Sequence, residues 1–422
     1  MIRIVTLTLI FLTLVMALPA TAATLTLNDC LSMAASGNRA LKATSYDKTI
    51  AAQSVTLADS AWFPRIDFQG GYTSQLAEQK IQLNTASIAT QDANYGFFSF
   101  TLNYILYDFG RRDARSHHAE LLQEATTDLY QSQEKDIYLQ VVKGYYGILR
   151  AGKLLLAADD EVTRLKDHLR VAQNLYEQGV VTRNDVLQAE VRLAGSRQRR
   201  MSADNEVEKA WLQLNYLTGQ PEIFRADLNE TAPYSSEPGP VDTDAVTSRP
   251  EYRAQVKAVK AGDFAVTENN KAFYPEIFFK TGVDYVENSM VKEQAIYAAT
   301  VGVRFNIFEG NATSARLRQA VALRSQDEAR LNDLAALLRL ELATAIRDAT
   351  VSKERIGVTE QAIGQAEENV RINTSRYVEK VGTAPELLDA QTLLTQTTVE
   401  YYTALFDYQV ALARVKKARG EL

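Results

Sequence analysis

The sequence is poor in the residue types on which many catalytic and metal sites depend. It has one cysteine, Cys30, which excludes an internal disulfide and a thiolate-rich metal site. Its three histidines lack partners at a plausible spacing for a catalytic triad or a metal site. A phosphate-binding glycine loop with its lysine is also missing. We therefore expect no enzyme, no metal and no cofactor, and we expect Cys30 to be a small buried residue of the first helix.

The sequence also lacks a net positive charge and contains few prolines. The formal net charge is -6, whereas a nucleic-acid-binding protein needs a basic face for the phosphates. We therefore expect no nucleic-acid partner. No proline occurs between Pro64 and Pro221, and gaps of this kind are typical of long uninterrupted helices.

Long hydrophobic runs are missing after residue 22. None of the later stretches reaches the roughly 18 consecutive apolar residues that a membrane-spanning helix requires. Residues 1–22 have the form of a secretory signal peptide, with Arg3, an apolar run from Ile4 to Leu18, and the small-residue site Ala20-Thr21-Ala22. The pattern predicts export from the cytoplasm, and any entry into a membrane would have to use strands.

The chain is organised around a repeated pattern of small and apolar residues. From Leu338 to Tyr377 such residues recur at alternating spacings of four and three, which is typical of a coiled-coil seam. The same alternation runs in the same phase from Ile137 to Tyr176, and 338 minus 137 gives an offset of 201. The sequence therefore predicts two copies of one unit built on a long helix.

The predicted domain organisation follows this repeat. Residues 23–219 form the first structural repeat, residues 249–422 form the second, and residues 220–248 form a proline-containing linker. In each repeat we predict a helix, a β-hairpin, a long helix and a returning helix. The first helix is placed at about Leu27 to Ser60, and a polar connector at about Ser74 to Asn94 joins the two strands of the first hairpin. The hairpins are placed at about 64–108 and about 275–308.

Alternation with a period of two residues predicts the strands, two in each repeat. In Tyr95–Tyr107, for example, Phe98 and Phe100 face one way while Ser99 and Thr101 face the other. Strands of this length fit an outer-membrane barrel and a half-buried soluble sheet equally well. In lipid, four strands could not close a barrel alone, so several chains would have to share one wall.

With these features the sequence resembles the TolC-type outer-membrane efflux protein family. The resemblance rests on the signal peptide and on the duplicated order of helix, β-hairpin and helix. It also rests on the turn Tyr107-Asp108-Phe109-Gly110-Arg111 and on the tip segments Tyr176–Ala189 and Tyr377–Ala390. It implies a mixed α and β fold, in which a long α-helical coiled-coil barrel continues a transmembrane β-barrel assembled from four strands per chain. It also implies a homotrimer in the outer membrane, with the helical part in the periplasm.

The resemblance further implies a passive exit duct of a tripartite efflux or type I secretion system. Its partners would be a periplasmic adaptor (a membrane fusion protein), an inner-membrane transporter and outer-membrane lipid. A drug, a metal ion, a metabolite and a protein are all compatible cargoes. The alternative is a structural or adaptor-like periplasmic coiled-coil protein without channel activity.

Candidate site residues follow from the same resemblance. Glu386 and Asp389 match the two acidic rings of the family's periplasmic mouth, although acids at a helix N-terminus are ordinary without it. Asp185 and Tyr377 match groups that tie the mouth shut, and a hydrogen bond from the hydroxyl to the carboxylate would form part of this latch. Asn184 replaces the family's hydroxyl residue.

The tips of the two long hairpins are the expected docking points for the adaptor. The residues concerned are Gly179, Val180, Val181, Lys380, Val381 and Gly382. Gly382 stands where the family's latch arginine is expected. We therefore expect the closed state to lack one ionic link.

Overall fold

The computed structural model of the chain describes residues 24–84, 86–230 and 244–422. The predicted signal peptide lies outside the described residues, as does most of the predicted linker. The chain divides into two compact units, each of which takes segments from both predicted repeats. The first unit comprises Met1–Ala43, Ser132–Arg249 and Leu337–Leu422, and the second comprises Thr44–Gln131 and Pro250–Ala336.

Helices dominate both units. In chain order they are α1 (Leu27–Gly37), α2 (Arg39–Asp59), α3 (Arg111–Glu177), α4 (Arg183–Thr218), α5 (Pro250–Lys271), α6 (Ala312–Val378) and α7 (Ala384–Arg419). The long helices α3 and α6 have 67 residues each, and the returning helices α4 and α7 have 36 each. The long helices begin 201 positions apart, as 312 minus 111 gives.

The first helix differs from its prediction as one helix from Leu27 to about Ser60. It is interrupted at Asn38, whose extended backbone ends α1. The side-chain oxygen of Asn38 accepts a hydrogen bond from the backbone N–H of Leu41 at 2.9 Å, and its amide donates to the Leu217 carbonyl at 2.8 Å. The interruption thus depends on a contact with the distant end of α4, which local periodicity does not reveal.

Cys30 lies on α1 and is fully buried, as the sequence predicts. Burial raises the pKa of its thiol to about 12. At neutral pH the sulfur is therefore protonated and behaves as a small apolar group.

Four strands of the second unit form an antiparallel sheet in the order β1-β4-β5-β6. In chain order the strands are β1 (Arg65–Ser74), β2 (Gln79–Leu83), β3 (Ala86–Gln91), β4 (Asn94–Tyr107), β5 (Glu276–Val286) and β6 (Ala295–Arg304). The register places apolar residues opposite apolar residues, and polar residues opposite polar residues, across all four strands. One row is Phe68, Phe100, Val283 and Tyr297, and a row on the opposite face is Arg65, Asn103, Lys280 and Thr300. The sheet therefore has one apolar face and one polar face.

The connector predicted at about Ser74 to Asn94 contains two strands that the sequence analysis missed. Strands β2 and β3 pair as a separate hairpin in which Ile81 lies opposite Ile88. The amide of Asn288, in the second repeat, donates a hydrogen bond to the Thr90 carbonyl at 2.9 Å. The first repeat therefore has four strands rather than the two predicted, because the polar composition of this connector concealed a short alternating pattern.

The predicted seams of α3 and α6 lie in the core of the first unit. Every seam position from Ile137 to Ala172 and from Leu338 to Tyr377 is buried or half-buried. The exception is Tyr176, whose exposed fraction is 45%. The two repeats thus pack alike along their length and differ at their last seam position.

In the second unit, ion pairs hold α5 against α3. Asp128 is buried and accepts from Arg253 at 2.9 Å and from Lys257 at 2.8 Å. Near the sheet, buried Arg112 pairs with Asp108 at 3.0 Å and lies 4.4 Å from the centre of the Trp62 ring. These contacts fix the helices from which β1 and β5 begin.

The close approach of two glycines in the first unit can be tested by substitution. Gly219, which ends α4, has a φ of +72°, and a Cβ there would lie 2.2 Å from the carbonyl oxygen of Gly37. We expect Gly219→Ala to lower the free energy of unfolding by about 2 kcal/mol or more, because the left-handed conformation alone costs an L residue about 1–2 kcal/mol. Thermal unfolding of the purified protein provides the measurement.

Gly147→Ala is the matched control, because a Cβ at this position of α3 has open space around it. Replacing a helical glycine by alanine raises stability by up to about 1 kcal/mol. Equal unfolding midpoints for the two variants would contradict the close approach.

Candidate functional site

The predicted site residues lie in the first unit, at the two connections between a long helix and its returning helix. Gly179 and Lys380 each take a positive φ where the helix ends, +71° and +66°. The next residue donates back to the helix, Val180 to the Leu175 carbonyl at 2.8 Å and Val381 to that of Arg376 at 2.9 Å. The two connections thus share one backbone conformation, which leaves the side chains of Val180 and Val381 exposed.

Both returning helices begin with the same capping arrangement. The Asp185 carboxylate accepts from the backbone N–H of Thr182 at 2.9 Å and from its hydroxyl at 2.8 Å. The Glu386 carboxylate accepts from the backbone N–H of Thr383 at 3.1 Å. These bonds satisfy N–H groups that a helix N-terminus leaves free, so the two acids have a structural role within the chain.

The two acids predicted for the mouth each face an arginine. Glu386 lies 3.7 Å from Arg376, and Asp389 lies 3.5 Å from Arg192. The hydrogen bond from the Thr383 backbone, together with the nearby Arg376 guanidinium, lowers the pKa of Glu386 from its ordinary value. Glu386 is therefore ionised at neutral pH, and it is half exposed to solvent.

Gly382 has little room for a side chain. A Cβ there would lie 2.9 Å from the Cβ of Arg376 and 3.2 Å from the Tyr377 nitrogen. An arginine at this position, as expected from the family, would require the turn to shift. The cation that pairs with Glu386 is Arg376, which lies six residues before Gly382 at the end of α6.

The hydrogen bond predicted from Tyr377 to Asp185 is not formed within the chain. The Asp185 carboxylate faces its own helix terminus, where it accepts from Thr182. The Tyr377 hydroxyl is buried and has no hydrogen-bond partner among the described residues. Burial raises the pKa of the Tyr377 hydroxyl, and the negative charge of Asp185 raises it further. The two groups are therefore near each other without being bonded.

Asn184 is exposed on the first turn of α4.

Apolar packing holds the tips together. The Tyr377 ring packs with Ala384 and Leu387 at the start of α7, and Val171 and Leu175 of α3 cover this cluster. A second cluster nearer the body of the unit joins α3, α4 and α7, and consists of Val162, Leu165, Leu193 and Leu388 with Leu169 against it. Within these two clusters, Tyr377 is the residue that α6 contributes, and its ring packs against α7 and α3.

His168 is a member of this site that the sequence analysis did not select. It lies on α3, is 4% exposed, and its ring centre is 5.2 Å from that of Tyr377. A signal was present in the sequence. His168 lies three residues after Leu165 and four residues before Ala172, which are both buried seam positions, but the apolar Leu169 also continues the seam and was the more obvious choice.

No group of three or more His, Cys, Asp or Glu side chains is placed to hold a metal ion in residues 24–84, 86–230 and 244–422. Within the same ranges, no helix combines the length and the apolar character needed to cross a bilayer.

Comparison with known proteins identifies the family. Residues 30–220 and 243–421 match the outer membrane efflux protein family, which covers most of the chain. The chain belongs to this family. Membership places the protein in the outer membrane, with its helical part in the periplasm.

Individual relatives of this outer membrane efflux protein include components of efflux and of secretion. The outer membrane efflux protein BepC of Brucella suis biovar 1 (strain 1330) is 22% identical over 404 residues, covering 94% of this chain and 86% of BepC. The proteases secretion protein PrtF of Dickeya chrysanthemi is 20% identical over 361 residues, covering 81% of this chain and 77% of PrtF. By their names, both are transport proteins rather than enzymes.

The fold is shared with solved structures. The outer membrane protein VceC from Vibrio cholerae superimposes with a TM-score of 0.81 at 18% identity, covering 93% of this chain and 96% of VceC. The helix-rich mixed α and β fold predicted from the sequence is therefore confirmed.

In this outer membrane efflux protein, the ring of Tyr377 rather than its hydroxyl should hold the tip together. We expect Tyr377→Ala to destabilise the first unit by about 3–5 kcal/mol through loss of a buried aromatic ring. Tyr377→Phe keeps the ring and removes an unsatisfied buried hydroxyl, so its effect should be neutral or slightly stabilising. Denaturant unfolding of the two variants measures the difference in their free energies of unfolding. If Tyr377→Phe were as unstable as Tyr377→Ala, the result would support the predicted hydrogen bond from the hydroxyl instead.

Proposed function

We propose that three copies of this chain form a passive exit duct through the outer membrane, in a tripartite efflux or type I secretion system. Each copy contributes its four-stranded sheet to one barrel and its long and returning helices to one periplasmic tunnel. An inner-membrane transporter supplies the energy and is reached through a periplasmic adaptor. The observation that carries the proposal is the apolar, open-edged sheet of the second unit.

The apolar face of the sheet is suited to lipid. Phe68, Phe100 and Tyr297, which align across the strands, are all exposed in the single chain. Adjacent aromatic rings on this face pack against each other, with centres 4.7 Å apart for Phe68 and Phe100. Contiguous exposed apolar surface of this extent is unusual in a soluble monomer.

Aromatic side chains also mark the end of the sheet nearest the helices. They occur at every passage between a helix and a strand in both repeats, which is the arrangement of an aromatic belt at a membrane–water interface. The exposed members are Trp62, Phe63, Tyr107, Phe273, Tyr274, Phe305 and Phe308. A soluble sheet has no need for a belt at one end.

The edges of the sheet require partners. Strands β1 and β6 are its two edges, so each has one side without a neighbouring strand in the described chain. In hydrocarbon every unpaired backbone group would cost several kcal/mol. The smallest closed membrane barrels have about eight strands, so the four strands of one chain need further copies, and three copies give twelve.

Substitution of two adjacent residues on opposite faces of β1 tests whether the apolar face of the sheet contacts lipid or water. Phe68 lies on the apolar face and Gln69 on the polar face of β1. We expect Phe68→Arg to impair insertion, because an arginine on the lipid face costs about 2–4 kcal/mol near the bilayer midplane. Gln69→Arg is the matched control and should insert normally.

The readout is the fraction of each variant that remains in the outer membrane after alkaline extraction. Equal retention of both variants would contradict a lipid-facing sheet. That result would favour the periplasmic coiled-coil alternative without channel activity.

The helix tips would form the periplasmic mouth. In a trimer, Glu386 and Asp389 give two rings of three carboxylates each, on the exposed side of α7. The arginine partners within each chain, Arg376 and Arg192, weaken these rings without removing them, because both ion pairs are half exposed and longer than an ideal pair. Rings of carboxylates favour the entry of cations.

We therefore expect Glu386→Gln with Asp389→Asn to lower the cation-to-anion permeability ratio by about twofold or more. The reversal potential across a planar bilayer under a salt gradient measures this ratio. Glu360→Gln, which removes an exposed acid from α6 away from the tip, is the control and should leave the ratio unchanged. An unaltered reversal potential in the double variant would argue against the acidic mouth.

Two further roles are proposed at the same end. Asp185 and Tyr377 keep the resting mouth narrow, Tyr377 through its buried ring and Asp185 by ordering the start of α4, while Asn184 and Gly382 add no ionic link. The exposed connections at residues 179–181 and 380–382 receive the hairpins of the adaptor. Their two exposed valines, Val180 and Val381, offer an apolar contact beside the positive charge of Lys380.

A further inference from the structure

We propose that His168 is a positioning residue that makes the helix tip sensitive to pH, because its place against Tyr377 is compatible with a neutral imidazole and not with a charged one. The inference rests on the proposed exit duct, since it concerns the opening of that duct. It assigns a role to a residue that neither the predicted acidic rings nor the predicted latch includes.

The first observation is a group of buried polar atoms without partners. Both ring nitrogens of His168 and the hydroxyl of Tyr377 lack hydrogen bonds among the described residues. The two side chains are 4% and 5% exposed and their ring centres are 5.2 Å apart. Each buried unsatisfied group opposes the packed arrangement. The tip is therefore held shut by apolar contacts that work against three polar atoms.

The second observation concerns the charges around His168. On α3 itself, buried Glu161 pairs with Arg199 of α4 at 2.6 Å, Arg164 donates to Thr395 of α7, and Asp167 pairs with Arg170 at the surface. The other arginines near the tip, Arg192 and Arg376, face Asp389 and Glu386. Asp185 of α4 is the charged group that acts on His168, but its carboxylate accepts from Thr182. A protonated His168 would therefore be buried without an available counter-ion.

The direction of the pH effect follows from this environment. Burial lowers the pKa of His168 below its ordinary value of 6.5, and Asp185 opposes the shift only in part. An opened tip exposes the ring to water, where the pKa returns to its ordinary value. The closed tip is therefore favoured above pH 6.5 and loses stability relative to the open tip as the pH falls through that value.

The repeat provides an internal comparison. The position equivalent to His168 is Asn369, as 369 minus 201 gives, and its side-chain oxygen accepts from the Asn373 amide at 2.8 Å. The position equivalent to Tyr377 is Tyr176, which is 45% exposed. The buried pair thus joins His168 of the first repeat to Tyr377 of the second, while the two equivalent positions, Asn369 and Tyr176, hold a non-titrating amide and an exposed ring.

The experiment compares wild type, His168→Leu and His117→Gln in planar bilayers between pH 7.5 and 5.5. We expect the open probability of wild type to rise as the pH falls, by up to about tenfold for each pKa unit that separates the two states. His168→Leu should remain flat and less open throughout, because it removes two unsatisfied atoms from the core. His117 is exposed on the first turns of α3, so its variant should keep the wild-type rise.

If His168→Leu assembles poorly, His168→Asn, which copies the residue of the second repeat, takes its place. A rise in this variant equal to that of wild type overturns the inference. Failure of wild type itself to conduct at any pH would instead count against the proposed duct.

Hydrogen–deuterium exchange at residues 377–387 tests His168 independently of conduction. The ratio of the wild-type exchange rate to the His168→Leu rate cancels the intrinsic effect of pH on exchange. We expect this ratio to increase several-fold from pH 7.5 to pH 5.5. A constant ratio would overturn the inference even if the channel conducts.

Discussion

The structure depends on close helix packing along the two seams of α3 and α6. Small residues such as Gly144, Ala345 and Ala349 are buried there, and their size lets neighbouring helix backbones approach closely. Because each long helix is continuous over 67 residues, the rotation set by the seam is transmitted to its last turn.

The two repeats share a backbone conformation at their ends but not the burial of their side chains. Both returning helices begin with a threonine and an acid three residues later, and both end at a glycine in the left-handed conformation, Gly219 and Gly420. The last seam position nevertheless buries Tyr377 and exposes Tyr176. The two duplicated scaffolds are therefore equivalent in backbone conformation and differ in the side chains that they bury at their ends.

Much of the fold could be predicted because it is periodic. The seams, the alternating strands and the offset of 201 are visible as repeated spacings, and the long helices follow from the absence of proline. The break at Asn38 could not be predicted, because it depends on the Leu217 carbonyl at the far end of α4. The β2–β3 hairpin was missed because its alternating pattern is short and embedded in a polar connector.

The sequence predicted where the site residues lie along the chain, but it did not predict which groups they contact. The tip residues lie at the two connections, where the sequence placed them. The partners of the acids, Arg192 and Arg376, come from other helices or other turns, so spacing alone does not reveal them. The Asp185 carboxylate bonds to its own helix terminus rather than to Tyr377, since a capping bond is local and a bond across helices requires a specific rotation of both.

The burial of Cys30 has a practical consequence for studying the assembly. The only thiol in the sequence lies within the first helix, out of contact with solvent and protonated at neutral pH. Maleimide dyes and spin labels react with exposed thiolates. Because Cys30 is buried and protonated, these reagents should leave the natural protein unlabelled. A single introduced cysteine at an exposed tip would then report distances between subunits without removing any native residue.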